Sequence, residues 1–229
     1  ISMPLHNGQS CTSAWYVSPM RLEPVVNGTW VGDVNQGGSV NFRNITFNPH
    51  GNGTHTECVG HISKEFYTIN STLKRFLFTA ELITVLPCEL DNGDFIINEL
   101  QLKAALGDVM KPEALVIRTL GNSAAKLSTN YSNSNPPYLT RPAIEYLNEL
   151  GVEHLLFDMP SVDREVDGGK LEAHHAFWNY PHNTQLHKTI TELIYVPNEI
   201  SDGTYLLNLQ IAPFENDASP SKPVLYKVF

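Results

Sequence analysis

Three histidines and a glutamate fall within twelve residues of the chain, as His50, His55, Glu57 and His61 in a His-x4-His-x-Glu-x3-His run. Neutral imidazoles around a carboxylate suit zinc, manganese, iron or nickel better than cations that demand an all-oxygen shell. Zinc is the expected ion, with manganese as the alternative. It takes four ligands and, in a catalytic site, leaves one position open for water. Glu57 lies between the histidines and is placed to bridge two ions, with His50 and His55 on one side and His61 on the other. One ion or two are therefore compatible with the run. If His61 stays off the metal it suits a general base, the role that histidine side chains most often take.

Further ligands are available downstream. Glu172-Ala173-His174-His175 is a second histidine concentration, and Glu192 follows in a strand-like segment, where it could complete the shell or orient water. His182 and His187 stand between them as weaker candidates. The competing reading of each cluster is a polar segment without a ligand; for a lone histidine pair such as His174-His175 that reading is a structural one. Cys58 is either a soft ligand or a small buried residue of the kind free cysteines often are. Trp15 and Trp178 either line a pocket for an aromatic substrate or belong to the core. Arg118, at the end of an apolar run, either faces a substrate carboxylate or makes a plain ion pair.

The elements that must position these groups follow from periodicity and caps. Gly51, Gly53 and Gly60 each disfavour a helix by about 1 kcal/mol relative to Ala, so a tight loop is expected to present the first cluster. Alternation over Ser39–Phe47 predicts a strand running into that loop, and further strands are expected at Phe76–Leu86, Ala114–Thr119 and His154–Phe157. The last strands are expected at Ile190–Val196, Tyr205–Ile211 and Val224–Phe229. Asn98 caps a predicted helix over Glu99–Leu106. Thr140, Pro142 and Gly151 start and stop another that ends at Leu150. Ser, Asn and Pro make residues 121–137 a long loop. Strands interleaved with two or three helices give an α/β class, with one domain over residues 1–229 and a mixed sheet.

Composition narrows the partners. A formal charge of −9 leaves no basic stripe for nucleic acid. No apolar run approaches the roughly 18 residues of a membrane span, and no basic amphipathic segment suggests a membrane surface. A small-molecule substrate is expected. Three scattered cysteines, Cys11, Cys58 and Cys88, make no disulfide framework and lean toward a reducing, cytoplasmic location. The chain starts at Ile1 without methionine, which is compatible with a removed leader or tag. Five Asn-x-Ser/Thr sequons, at Asn27, Asn44, Asn52, Asn70 and Asn130, read as chance products of an Asn- and Thr-rich sequence. A secreted sugar- or partner-binding module would rest on them alone.

The stretch Pro49-His50 … Gly53-Thr54-His55-Thr56-Glu57 … His61 resembles the His-x-Gly-Thr-His-x-Asp-x-Pro-x-His signature of the cyclase family of metal-dependent hydrolases, which includes bacterial kynurenine formamidase. Ile1–Leu5 is similar to that family's opening strand, and Val116-Ile117-Arg118-Thr119 to its central Arg-Thr strand. Phe157–Asp163 resembles its Asp-x-Pro-Ser-x-Asp segment, Ala173-His174-His175 its second ligand segment, and Asp217-Ala218-Ser219-Pro220 its terminal Asp-Ala-Ser-Pro. The resemblance implies a swivelling β/β/α fold, assembly as a homodimer or homotetramer, and hydrolysis of amide-type C–N bonds such as formyl aryl amides or cyclic amides by metal-activated water. It implies that His50, His55 and Glu57 hold a first ion. Glu57, His61, His174 and Glu192 would hold a second or surround the reacting water, with His174 rather than His175 in the ligand position. Three departures stand out: one extra residue between His50 and His55, Glu57 for the usual aspartate, and Val59 for proline. The glutamate carries its carboxylate outward by roughly 1.5 Å. A scaffold that keeps an ion or small ligand but has lost turnover is the alternative these departures raise.

Overall fold

The computed structural model describes residues 1–8, 10–107 and 111–228. Eight strands form one mixed sheet: β1 (His55–Glu57), β2 (Leu77–Val85), β3 (Ala114–Thr119), β4 (His154–Phe157), β5 (Thr189–Glu192), β6 (Gly203–Asn208), β7 (Ala218–Pro220) and β8 (Val224–Lys227). Their order across the sheet is β7-β1-β5-β4-β3-β2-β6-β8. The four central strands are parallel, and antiparallel pairs flank them on both sides. The helices are α1 (Ile69–Thr72), α2 (Glu99–Leu106), α3 (Arg141–Leu150) and α4 (Glu172–Trp178). The last three connect successive parallel strands, as such crossovers require.

Every residue of β3 and β4 is buried, which fits the continuous apolar runs Ala114–Ile117 and Leu155–Phe157 within them. Alternate residues serve two cores. Leu115, Ile117, Leu155 and Phe157 meet Leu102, Ile144, Leu147 and Phe177 of the helices. Ala114, Val116 and Leu156 face the other way, against Phe78, Leu82, Val196 and Leu207, so the curled sheet is covered on both faces. Helix α2 starts in a capping box, in which Asn98 Oδ1 accepts the Gln101 amide and Gln101 Oε1 accepts the Asn98 amide. Helix α3 starts at Thr140 and stops where Gly151 takes φ 81°.

Several expected elements change. Of Ser39–Phe47 only Arg43–Thr46 is a strand, and it pairs with Arg21–Pro24 outside the large sheet. With the short pair Val26–Asn27 and Trp30–Val31 it makes an arm over residues 21–47, on which Val26, Val40, Phe42 and Ile45 are exposed. The apolar alternation is present there, but no layer covers it. The strand expected to reach Val196 ends at Glu192, because Leu193 turns the backbone into the left-handed region at φ 52°. The next covers Gly203–Asn208 rather than Tyr205–Ile211. The final strand covers Val224–Lys227, and Phe229, included in the expected strand, lies outside the described residues. Ile1–Leu5 contributes a single bridge, Ser2 to Ile194. Among the described residues no helix is long and apolar enough to cross a membrane.

Candidate metal centre

Strand β1 places the first ligands. It lies between β5 and β7, so that His55 is opposite Glu192 and Pro220, and Glu57 is opposite Ile190 and Ala218. His55 and Glu57 are two apart in an extended strand and point to one face, while Thr56 between them bonds to Thr191 Oγ1 at 2.8 Å. The loop before β1 is tied down by its own polar side chains. Asn52 Oδ1 accepts the Asn48 amide at 2.7 Å, Asn48 Oδ1 accepts the Gly51 amide at 3.1 Å, and Gly51 O accepts the Ala14 amide at 2.9 Å. Thr54 Oγ1 accepts from the Met3 amide and donates to Leu193 O. A tight loop therefore presents His50 alone; His55 and Glu57 come from a buried strand, and His61 ends a 3-10 turn over Val59–His61. Asn52 is 1% exposed, so its sequon is closed to a glycan in the folded chain.

Each inner imidazole has one nitrogen bound on the outside and the other directed inward. His50 Nε2 meets Asp217 Oδ2 at 2.7 Å, leaving Nδ1 at 3.0 Å from Glu57 Oε2. His55 Nδ1 meets Gly53 O at 3.0 Å, leaving Nε2 at 3.4 Å from Glu192 Oε2 and 3.9 Å from Glu57 Oε2. His174 Nδ1 meets Asp163 Oδ2 at 2.5 Å, leaving Nε2 at 3.1 Å from Glu57 Oε1 and 3.9 Å from Glu192 Oε1. Outer acceptors of this kind fix the tautomer so that the inner nitrogen offers a lone pair. His61 sits at the edge, about a third exposed, with Nδ1 3.4 Å from Asp217 Oδ2 and 3.9 Å from Glu57 Oε2.

The donor set fits a divalent cation. His55 Nε2 is buried without a hydrogen-bond partner among the described residues, and Glu57 Oε2 is buried with only His50 Nδ1 close by, at 3.0 Å, an arrangement that costs free energy unless something else satisfies them. His50, His55 and Glu57 present ligand atoms within 4.8 Å of one another, as do Glu57, His61 and His174. The two groups share Glu57, which suits one ion or a bridged pair. A third group, His50, His61 and Asp217, lies at the rim.

Charge is concentrated here. Burial would raise the Glu57 carboxyl, but His61, His174 and His50 hold it well below the usual carboxylate range. Burial would lower His50, yet its bonds to Asp217 and Glu57 bring it up to about 10. Asp163 and Glu57 likewise outweigh burial at His174, which rises well above the ordinary histidine value. A cation would displace these protons, so binding should release them.

Beside the centre lies a cavity of about 430 Å³, whose lining includes Trp15, His50, His61, His174 and Glu192. Trp15 adopts φ 59°, uncommon for a residue with a bulky side chain. Trp178 is fully buried and donates to Lys188 O. Arg118 does not line the cavity: its guanidinium donates to Thr84 Oγ1, Pro197 O and Ile200 O and pairs with Asp202 at 2.9 Å. Of the two readings of this position, the structure has the ion pair, which ties down the 197–202 turn. Cys58 is fully buried in the apolar cluster with Ile69, Leu73 and Val196, its thiol directed to Tyr67 O at 3.7 Å, and it belongs to none of the donor groups above. His175 turns to Tyr180 O, His182 lines a separate surface pocket, and His187 faces Glu153 at 3.8 Å. Asp163 and Asp217 are the site residues that spacing from the histidines did not single out. Their signal lay in the Phe157–Asp163 and Asp217–Pro220 segments.

Residues 1–164 match the family model described as "Putative cyclase". A kynurenine formamidase of Geobacillus thermodenitrificans is 31% identical over 198 residues, covering 84% of this chain and 83% of that protein. Among solved structures, a potential metal-dependent hydrolase with cyclase activity superposes with a TM-score of 0.69 at 14% identity, over 98% of this chain and 94% of the other. Isatin hydrolase A from Labrenzia aggregata does so at 0.68 and 15% identity, over 98% and 91%. The model match, the formamidase relative and the shared architecture converge on one statement: the chain belongs to the cyclase family.

Proposed function

We propose that this protein is a metal-dependent hydrolase that cleaves an amide-type C–N bond in a small substrate, a formamide or a cyclic amide. The observation that carries this reading is the buried His55 Nε2, without a hydrogen-bond partner among the described residues, beside the buried Glu57 carboxylate at the convergence of three oriented imidazoles. His50, His55, Glu57, His174 and Glu192 would hold the ion, zinc or manganese. Such an ion supplies polarisation of a carbonyl and a water acidified to a pKa of about 7. His61, open to the cavity and oriented by Asp217, takes a proton from the attacking water on its free ring nitrogen and returns it to the departing amine. Glu192 Oε1 is held by the Val162 amide at 2.9 Å, which leaves Oε2 to face the centre. Trp15 and Val17 give the substrate an apolar surface. Nothing in the site favours a scaffold that binds without turnover.

The test combines metal analysis with a screen of formyl aryl amides, cyclic amides and lactones. Stripping the metal, or His55→Ala, should lower kcat/KM by about a thousandfold or more, the several kcal/mol such a centre supplies to a transition state. Full activity in either preparation would overturn the reading. We also propose assembly as a homodimer or homotetramer, supported by the exposed apolar residues of the 21–47 arm.

A further inference from the structure

The cavity beside the metal centre is uneven in charge, and the unevenness bears on which substrates it admits. Trp15, Val17 and Leu171 give it apolar walls, and the loop after Asp163 adds Arg164, Glu165 and Asp167. Arg164 is already engaged, with Nε 3.1 Å and a terminal nitrogen 2.9 Å from Asp94 Oδ1. Asp94 is 2% exposed, so drawing Arg164 away would leave a buried carboxylate without its cation.

Among the described residues the two acids have no such partner. Glu165 Oε1 accepts the Asn133 amide at 2.6 Å and the Tyr16 hydroxyl at 3.3 Å, and Oε2 accepts the Asn135 amide at 2.9 Å. Asp167 accepts the Gly169 and Leu171 amides at 2.7 and 2.6 Å. These donors are neutral: they fix the carboxylates in place without cancelling their charge. No lysine lines the cavity among the described residues, and Arg118 is engaged elsewhere.

We infer that the cavity selects amides whose end remote from the scissile bond is uncharged or cationic, and discriminates against an anion at that end. The inference rests on the amide-hydrolase reading above. It concerns the Glu165–Asp167 side of the cavity rather than the ligands.

Three formanilides bearing a para methyl, aminomethyl or sulfonate group test it on the zinc-loaded protein near neutral pH. The sulfonate carries a full negative charge but is a poor metal ligand. The aminomethyl substrate should match or exceed the methyl one and surpass the sulfonate roughly tenfold in kcat/KM at about 0.05 M salt, with the gap shrinking at about 0.5 M as screening shortens. Glu165→Gln, which keeps an acceptor for the loop amides, should narrow the gap to about threefold; Asp167→Asn is the second variant should the first fold poorly. A sulfonate substrate cleaved as well as the aminomethyl one, or a gap unchanged in both variants, would overturn the inference. If none of the three is cleaved, the formamide branch of the amide-hydrolase reading fails on its own. Calorimetry with the three parent anilines then reads the charge preference without turnover. Binding of the sulfonated aniline at least as tight as that of the aminomethyl one, or no binding of any, overturns it.

Discussion

The arm over residues 21–47 closes mainly on itself and meets the rest of the chain through the Leu22 amide on Asn7 and Phe47 against Phe214. Arg21–Pro24 pairs with Arg43–Thr46, Val26–Asn27 with Trp30–Val31, and the aromatic contact between Trp30 and Phe42 stays within it. The next segment, residues 48–61, has bonds of its own among Asn48, Gly51 and Asn52, but it is also held from outside, by Ala14 and Ser18 before it and by Ile190, Glu192, Leu193, Asp217 and Ala218 far after it. Both segments are rich in Gly, Asn and Thr, and sequence pattern alone treats them alike. The difference lies in how many distant parts of the chain must arrive for each to exist. The arm can change without disturbing the fold, whereas the histidine segment registers a disturbance anywhere in the elements around it.

The sharpest way to break this contrast is a methyl group on one glycine in each segment. A Cβ at Gly60 would lie 2.2 Å from the Tyr67 carbonyl oxygen, a backbone atom with little room to yield. Gly60→Ala should destabilise at the upper end of the roughly 1–3 kcal/mol typical of overpacking, read as a fall in the urea midpoint. At Gly28, in the arm, a Cβ meets nothing within 4 Å, and the cost is confined to its φ of 61°. Gly28→Ala should cost about 1 kcal/mol. Equal losses at the two positions would remove the distinction.

A smaller effect is expected at the outer acceptors. Asp217→Ala removes the oxygen that orients His50 and His61 and should weaken metal affinity by about 10–100-fold, measured by competition with a chromophoric chelator. Asp217→Asn retains an acceptor and should lose less. Smallest of all is Phe42→Ala on the arm, which should change monomer stability by about 0.5 kcal/mol or less. Its effect should appear instead in molar mass by light scattering, if the arm carries the assembly proposed above.

How much of this was readable from sequence follows the same division. β3 and β4 have the bounds that their apolar runs predict, and α2 and α3 those that their caps predict, because each signal is local. Helix α4 gave no such signal. Leu171 precedes it in a left-handed conformation without a side-chain cap, and the Ala173 and His174 amides are accepted by Asp163, a residue on the far side of a loop. The same Asp163 orients His174, so one long-range carboxylate starts the helix and aims its ligand. Arg118 shows the converse: its place at the end of an apolar strand was correct, but its partners in the 197–202 turn are fixed by tertiary packing. The histidine cluster was visible as chemistry. The two aspartates that orient it were visible only as segments of family motifs.

The position of β1 between β5 and β7 also sets an order in time. His55 and Glu57 leave the ribosome early, whereas the strands that sandwich them, and Asp217, are synthesised far later. At translation rates of roughly 5–20 residues per second, the gap is on the order of ten seconds or more. Through that interval the three imidazoles and the carboxylate are present in the nascent chain without the geometry to hold an ion selectively. The centre is thus complete only once β7 is made, and a ribosome that stalls before Asp217 releases a product with every proposed ligand but without the strand and the carboxylate that position them.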